Sequence, residues 1–161
     1  MSHPRTADLG ELIGVLCDGG VDFIVVGGAA AVLHGAPVTT LDLDIVPEQS
    51  AANVARLIEL LHGLDARIRD PAGRDLRPSE ALLLGTGQVQ LTTQLGPLDI
   101  LCRLHDGRGY AELLPGSLEL TDETRQIRVI GLPDLIDIKS KTGRSRDQMV
   151  VPILLALLAR C

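Results

Sequence analysis

The sequence predicts an α+β fold, a small mixed sheet flanked by helices, over a single domain spanning 1–161 with 133–161 as a C-terminal helical tail. Three observations predict it. Helical and strand periods alternate along the chain without the regular strand–helix–strand repetition of a doubly wound sheet. Two short apolar strands carry isolated carboxylates, in L-D-L-D-I-V (41–46) and L-D-I-L-C-R-L (98–104). The 161 residues are 45% apolar, enough for a core, yet Phe23 and Tyr110 are the only aromatics, so Leu, Val, Ile and Ala must build it.

The elements follow in order. Leu9, Leu12, Ile13 and Leu16 recur at helical spacing, predicting an amphipathic helix over 7–18 that Gly19-Gly20 ends. V-D-F-I-V-V (21–26) is a β-branched run fit for a buried strand, stopped by Gly27-Gly28, after which A-A-A-V-L-H reads as a short helix closed by Gly35. Strict alternation from Leu41 to Val46 predicts a second strand, with Leu41, Leu43 and Ile45 facing the core. Ser50 caps a helix over 50–62, with Val54, Leu57, Ile58 and Leu61 on one face. A-R-I-R (66–69) is a third strand, and the Pro-, Gly- and Arg-rich stretch 70–79 a loop. V-Q-L-T-T-Q and L-D-I-L-C-R-L are two strands joined by a tight turn at Leu95-Gly96-Pro97. A helical turn precedes Pro115, I-R-V-I (127–130) is a late strand, and Pro133 opens a helix stopped at Gly143. The last helix covers Asp147 to Arg160, with Pro152 in its first turns.

Charge narrows the function. The chain carries a net charge of −6, which argues against a duplex-DNA binder. Its only two lysines lie in K-S-K-T-G-R-S-R (139–146), a stretch with four cations and no acid on an otherwise acidic body. Such an island suits a local phosphate contact. Three cysteines, Cys17, Cys102 and Cys161, form no C-x-x-C pair, so neither a disulfide framework nor a zinc site is expected and a reducing cytoplasm is the simple reading. The first residues lack an apolar signal core, and Met149–Ala159 is too short to span a bilayer. No membrane partner is expected.

The chemistry is concentrated between Ile24 and Val46. A strand runs into Gly27-Gly28 and a helix begins at once, an arrangement whose amides favour a bound phosphate and whose glycines let it approach the backbone. Asp42 and Asp44 stand two apart on the next strand, on one face and about 7 Å apart along it. Adjacent carboxylates facing one pocket repel unless cations lie between them, and magnesium prefers sites shared between carboxylates and phosphates. Asp99, between Leu98 and Ile100, is a third lone acid on a strand. Three acids from two strands beside a phosphate-binding turn suggest a two-metal site for phosphoryl chemistry. The plainer readings are a solvated edge strand for Asp42 and Asp44, and an exposed hairpin acid for Asp99. A dinucleotide site would need G-x-G-x-x-G, and a P-loop G-x-x-x-x-G-K-[ST]; the chain has neither. His34 reads as a packed or surface histidine, Lys139 equally as a solvated helix residue or a phosphate ligand, and Arg144 and Asp147 as a pair bonded to each other.

The pattern Gly-Gly, thirteen residues, Asp-x-Asp and a later apolar-Asp-apolar resembles the DNA polymerase beta-like nucleotidyltransferase superfamily. The segment D-L-I-D-I-K-S-K-T-G-R-S-R-D (134–147) is similar to the ending of small bacterial nucleotidyltransferases, including AbiEii-type toxins of toxin–antitoxin pairs. The resemblance spans 21–147. It implies a nucleotidyltransferase fold and transfer of a nucleoside monophosphate from an NTP such as ATP to an acceptor hydroxyl, with pyrophosphate released. It implies Asp42, Asp44 and Asp99 as catalytic metal ligands for two Mg2+ ions, and Gly27, Gly28, Thr40, Lys139 and Arg144 as nucleotide contacts. The acceptor it implies is a tRNA 3′ end, with an antitoxin as possible protein partner. A small hydroxylated molecule of the aminoglycoside kind is the alternative, and a catalytically weak partner-binding domain the other. One departure stands out: Val38 replaces a basic residue that many relatives carry ahead of the Thr-x-Asp step.

Overall fold

The computed structural model describes residues 2–122 and 124–160. Helix α1 (Leu9–Asp18) begins behind Asp8, whose carboxylate accepts the Glu11 amide at 3.1 Å. Strand β1 (Phe23–Val26) is buried along its length and runs without a loop into α2 (Gly27–Leu33). Strand β2 (Leu43–Pro47) precedes α3 (Ala51–Gly63), where the Ser50 hydroxyl accepts the Asn53 amide at 3.2 Å as an N-cap. Then come β3 (Arg67–Ile68), α4 (Glu80–Leu83), β4 (Gln88–Thr92), β5 (Leu98–Leu101), α5 (Tyr110–Leu113), β6 (Leu118–Asp122), β7 (Arg125–Val129), α6 (Leu132–Lys141) and α7 (Ser145–Ala159).

The strands form one mixed sheet in the order β3-β4-β5-β2-β1-β7-β6. β1 runs antiparallel to β2 and parallel to β7, and β2 runs parallel to β5. The central strands β5, β2 and β1 are largely apolar, as expected for strands covered on both sides, with Asp44 and Asp99 the exceptions on one face. Ile24, Leu43, Ile45, Leu98 and Ile100 are wholly excluded from solvent. Helix α2 packs on β1 and β2 and touches α6, α1 packs on α3 and β7, and α6 packs on α7. Asn53, buried at the first turn of α3, ties two chain segments together. Its Oδ1 accepts the Asp22 amide at 2.8 Å, and its Nδ2 donates to the carbonyls of Asp22 and Glu48 at 2.9 and 2.7 Å.

The α+β architecture and its mixed sheet are those expected from the sequence, but four details differ. The second strand starts at Leu43, so Leu41 does not enter the core and is 55% exposed. There the chain bends instead: the Thr40 hydroxyl donates to the Asp42 carbonyl at 3.1 Å, and the Leu41 carbonyl accepts the Ala7 amide at 2.7 Å. The segment after the 70–79 loop forms α4, begun by Ser79, whose hydroxyl accepts the Leu82 amide at 3.3 Å. Leu118–Asp122 forms β6, which pairs antiparallel with β7. Helix α7 begins at Ser145, two residues earlier than expected, which places Pro152 inside it. No helix among the described residues is long and apolar enough to cross a membrane.

Candidate active site

The register of the sheet brings the acids together. In the parallel pair β2–β5, Asp44 stands directly beside Asp99. On either side, Val26 pairs with Asp44 and Gln90 with Asp99. Residues opposite one another in a ladder share a face, so both carboxylates project from the face opposite Leu43, Ile45, Leu98 and Ile100. Asp42 joins them from the bend just before β2. One carboxylate oxygen from each of Asp42, Asp44 and Asp99 lies within 4.8 Å of the other two.

This convergence is electrostatically costly. Burial first, and then the charges of Asp99 and Asp42, push the Asp44 carboxyl up to about 7, although the cations Lys139 and Arg144 pull it down. Burial likewise raises Asp99 to about 6 against the opposing pull of Arg69, with Asp42 adding to the rise. Asp44 Oδ1 is buried and has no hydrogen-bond partner among the described residues. Native proteins seldom leave such an atom unpaired.

Gly27 and Gly28 lie against this cluster. Gly27 has a φ of +64°, a left-handed conformation that suits glycine, and a Cβ there would run into the Asp44 carboxylate. A Cβ on Gly28 would lie 2.8 Å from Thr40 Oγ1. Both glycines are therefore needed so that Asp44 and Thr40 can approach the start of α2, a steric role the sequence reading did not include.

Three of the four cations of the basic island 139–146, Lys139, Lys141 and Arg144, have internal partners. Lys139 is buried and donates to Asp147 Oδ1 at 3.0 Å; Thr142 and Arg144 donate to Asp147 Oδ2 at 2.6 and 2.9 Å. Burial pushes the Asp147 carboxyl up, but the hydrogen bonds from Thr142 and Lys139 and the charges of Lys139 and Arg144 outweigh it and leave it below the usual carboxylate range. Lys141 pairs with Asp137 at 3.0 Å. The expected Arg144–Asp147 pair is present, with Lys139 as its third member. Val38 packs partly buried against the core. His34 is also a packing residue, donating from Nε2 to the Ile130 carbonyl at 2.7 Å.

Sequence reasoning missed Arg69. Its guanidinium donates to Asp99 Oδ1, so a cation from the sheet edge enters the acidic cluster. The alternation Arg67-Ile68-Arg69 did place Arg69 on a strand, but nothing in the sequence pairs that strand with the one beside Asp99.

No protein-family model matches the chain, and no curated protein matches it. Solved structures do share its fold. The lincosamide antibiotic adenylyltransferase LnuA, solved with lincomycin bound, is 14% identical with a TM-score of 0.64, covering 96% of this chain and 99% of LnuA. TM1012 of Thermotoga maritima, whose name assigns it provisionally to the nucleotidyltransferases, is 16% identical with a TM-score of 0.57 and 96% of both chains covered. ANT(2")-Ia, solved in complex with adenylyl-2"-tobramycin, is 13% identical with a TM-score of 0.59, covering 93% of this chain and 87% of that one. The chain thus has the nucleotidyltransferase fold over nearly its whole length.

Proposed function

We propose that this chain is a metal-dependent nucleotidyltransferase, moving a nucleoside monophosphate from an NTP to an acceptor hydroxyl. The observation that carries this reading is the orphaned, buried Asp44 Oδ1 inside a cluster of three converging carboxylates. A divalent cation is the ligand that makes such a cluster favourable. The donors suit magnesium, since all are hard carboxylate oxygens. Asp42, Asp44 and Asp99 would hold the metal, and Gly27, Gly28 and Thr40 would border the triphosphate, with Lys139 and Arg144 adding positive potential behind Asp44. When bound, the metal polarises phosphoryl oxygens and lowers the pKa of the attacking hydroxyl.

In the transfer, the acceptor oxygen bonds to the α-phosphorus, the α–β anhydride bond breaks, and pyrophosphate leaves with that bond's electron pair. Asp99 would accept the hydroxyl proton and pass it to water. The NTP and magnesium requirement fits work in the cytoplasm.

Two acceptor classes are supported by different observations. The antibiotic ligands of LnuA and ANT(2")-Ia support a small hydroxylated acceptor and ATP as donor. The likeness of 134–147 to AbiEii-type endings supports an RNA 3′ end, with an antitoxin as partner. Magnesium-dependent ATP binding and pyrophosphate release test the reaction itself. Asp42→Ala and Asp44→Ala should each abolish release; full activity in either would refute the assignment.

A further inference from the structure

Two of the three clustered carboxylates stand near cations of this chain, with opposite results. Asp99 has bonded its neighbour, the Arg69 guanidinium. Asp44 has not. Burial and the charges of Asp99 and Asp42 raise its carboxyl, and the charges that oppose the rise are those of Lys139 and Arg144, which places both cations near it. Helix α6 brings Lys139 to this side by packing on α2, whose first residue, Gly27, lies against the Asp44 carboxylate. Asp44 Oδ1 nevertheless has no hydrogen-bond partner among the described residues.

Competing acids account for the difference. The acid next to Arg69 in the chain, Asp70, is already held by Arg74 at 2.6 Å and by the amides of Ala72 and Arg74, so Arg69 turns to Asp99. Lys139 and Arg144 have Asp147 to turn to. That carboxylate is 3% exposed and accepts from Lys139 Nζ at 3.0 Å, Arg144 Nε at 2.9 Å and Thr142 Oγ1 at 2.6 Å. The Lys139 side chain is only 10% exposed, and an ammonium so deeply buried must keep an anion. Asp137, on the same helix, is held by Arg108 and Lys141 at 2.8 and 3.0 Å. With Asp147 removed, the anion left in the field of Lys139 is Asp44, whose open oxygen is the one a divalent ion would use.

We propose that Asp147 is a positioning residue for the metal site: by holding Lys139 it keeps that ammonium off Asp44 and leaves Asp44 Oδ1 open to a divalent cation. Asp147 acts on the site through Lys139. This rests on the reading above of Asp42, Asp44 and Asp99 as metal ligands.

The test follows manganese binding to the full chain, without nucleotide, by the loss of the free ion's electron paramagnetic resonance signal. Manganese takes the same hard oxygen ligands as magnesium. Asp147→Asn should weaken binding at least about ten-fold, the effect of one charge-assisted bond competing for the ligand oxygen. Removing the ammonium as well, in Asp147→Asn/Lys139→Gln, should bring the affinity back to within about three-fold of wild type, since no buried charge is then left unpaired. A merely structural Asp147 predicts no such recovery, because affinity is compared between folded proteins. Circular dichroism checks the fold of each variant, and trimethylamine N-oxide in every sample restores it where Asp147→Asn is partly unfolded. A folded Asp147→Asn that binds manganese like wild type, or a double variant that binds no better than the single one, would overturn the proposal. Failure of the wild type to bind manganese, or binding by Asp44→Asn as tight as wild type, would instead remove the metal-site reading, and this inference with it.

Discussion

Replacing Asp44 by asparagine should make the metal-free protein more stable at neutral and alkaline pH. Asp44 is raised from 3.8 to about 7 in the folded chain. The native state therefore binds the proton more tightly than the unfolded state, and that stabilisation is complete below the unfolded value. It is lost as pH rises through the folded one. Each pKa unit is worth about 1.4 kcal/mol, so the shift corresponds to at most about 4 kcal/mol at pH above roughly 8. Water reaching the half-open cluster reduces this, and about 2 kcal/mol is the working figure. Asparagine keeps the shape, removes the charge, and relieves repulsion from Asp99 and Asp42. For a chain of this length, about 2 kcal/mol corresponds to a rise in Tm of roughly 4–8 °C. The assay is thermal unfolding of wild type and Asp44→Asn, in chelator, at about pH 4 and about pH 8. The gain should appear at the higher pH and vanish at the lower. Magnesium should then raise the wild-type Tm and leave the variant unchanged. A variant that folds but melts below wild type at the higher pH, or that responds equally to magnesium, would refute the account of Asp44 as a strained metal ligand.

Further outcomes follow from the same geometry. Protons and metal compete for Asp44 and Asp99, raised to about 7 and about 6, so magnesium affinity should fall steeply below neutrality; titration of metal binding against pH checks it. Gly27→Ala would force a side chain into a left-handed backbone and onto the Asp44 carboxylate. It should cost about 1–2 kcal/mol from the backbone alone, and thermal scans should show the magnesium response lost as well. Asp147→Asn leaves the buried Lys139 ammonium without its ionic partner. It should cost about 3–5 kcal/mol in urea unfolding. Asn53→Ala removes three hydrogen bonds that join α3 to the chain around Asp22 and Glu48. It should cost about 2–3 kcal/mol by the same measurement, with ATP binding retained.

What the sequence revealed depended on how local each feature is. Helices α1 and α3 were legible because their apolar stripes and the Ser50 cap lie within a few residues of each other. The strand–glycine–helix step at Val26–Gly28 was legible for the same reason, and so was the alternation that put Asp44 opposite Leu43 and Ile45. Features set by distant contacts were not. Leu41 continues the alternation but is pulled out of register by the Thr40 hydroxyl and the Ala7 amide. Strand β6 has a weak, half-polar pattern and exists through its pairing with β7. Lys139 looked as much like a solvated helix residue as a phosphate ligand; its burial against Asp147 depends on the fold of α6 onto α7.

The site has the same dependence on distant pairing. Asp44 and Asp99 become neighbours only because β5, far along the chain, lies parallel beside β2, and parallel neighbours require a crossover that periodicity cannot specify. Arg69 enters only because β4 then places β3 at the edge. The acids were identifiable as oddities, since an isolated carboxylate in an apolar strand demands a compensating partner. The identity of that partner was not. The structure supplies three different answers: Arg69 on Asp99, the cations Lys139 and Arg144 that moderate the Asp44 charge from the α6–α7 junction, and for Asp44 Oδ1 no hydrogen-bond partner among the described residues. Asp99 takes its nearby cation directly, and an Asp44 meant only to stabilise the fold would be expected to do the same. Here Lys139 and Arg144 are bonded to Asp147 instead, and the innermost oxygen is left open, the arrangement expected where the missing charge comes from outside the chain.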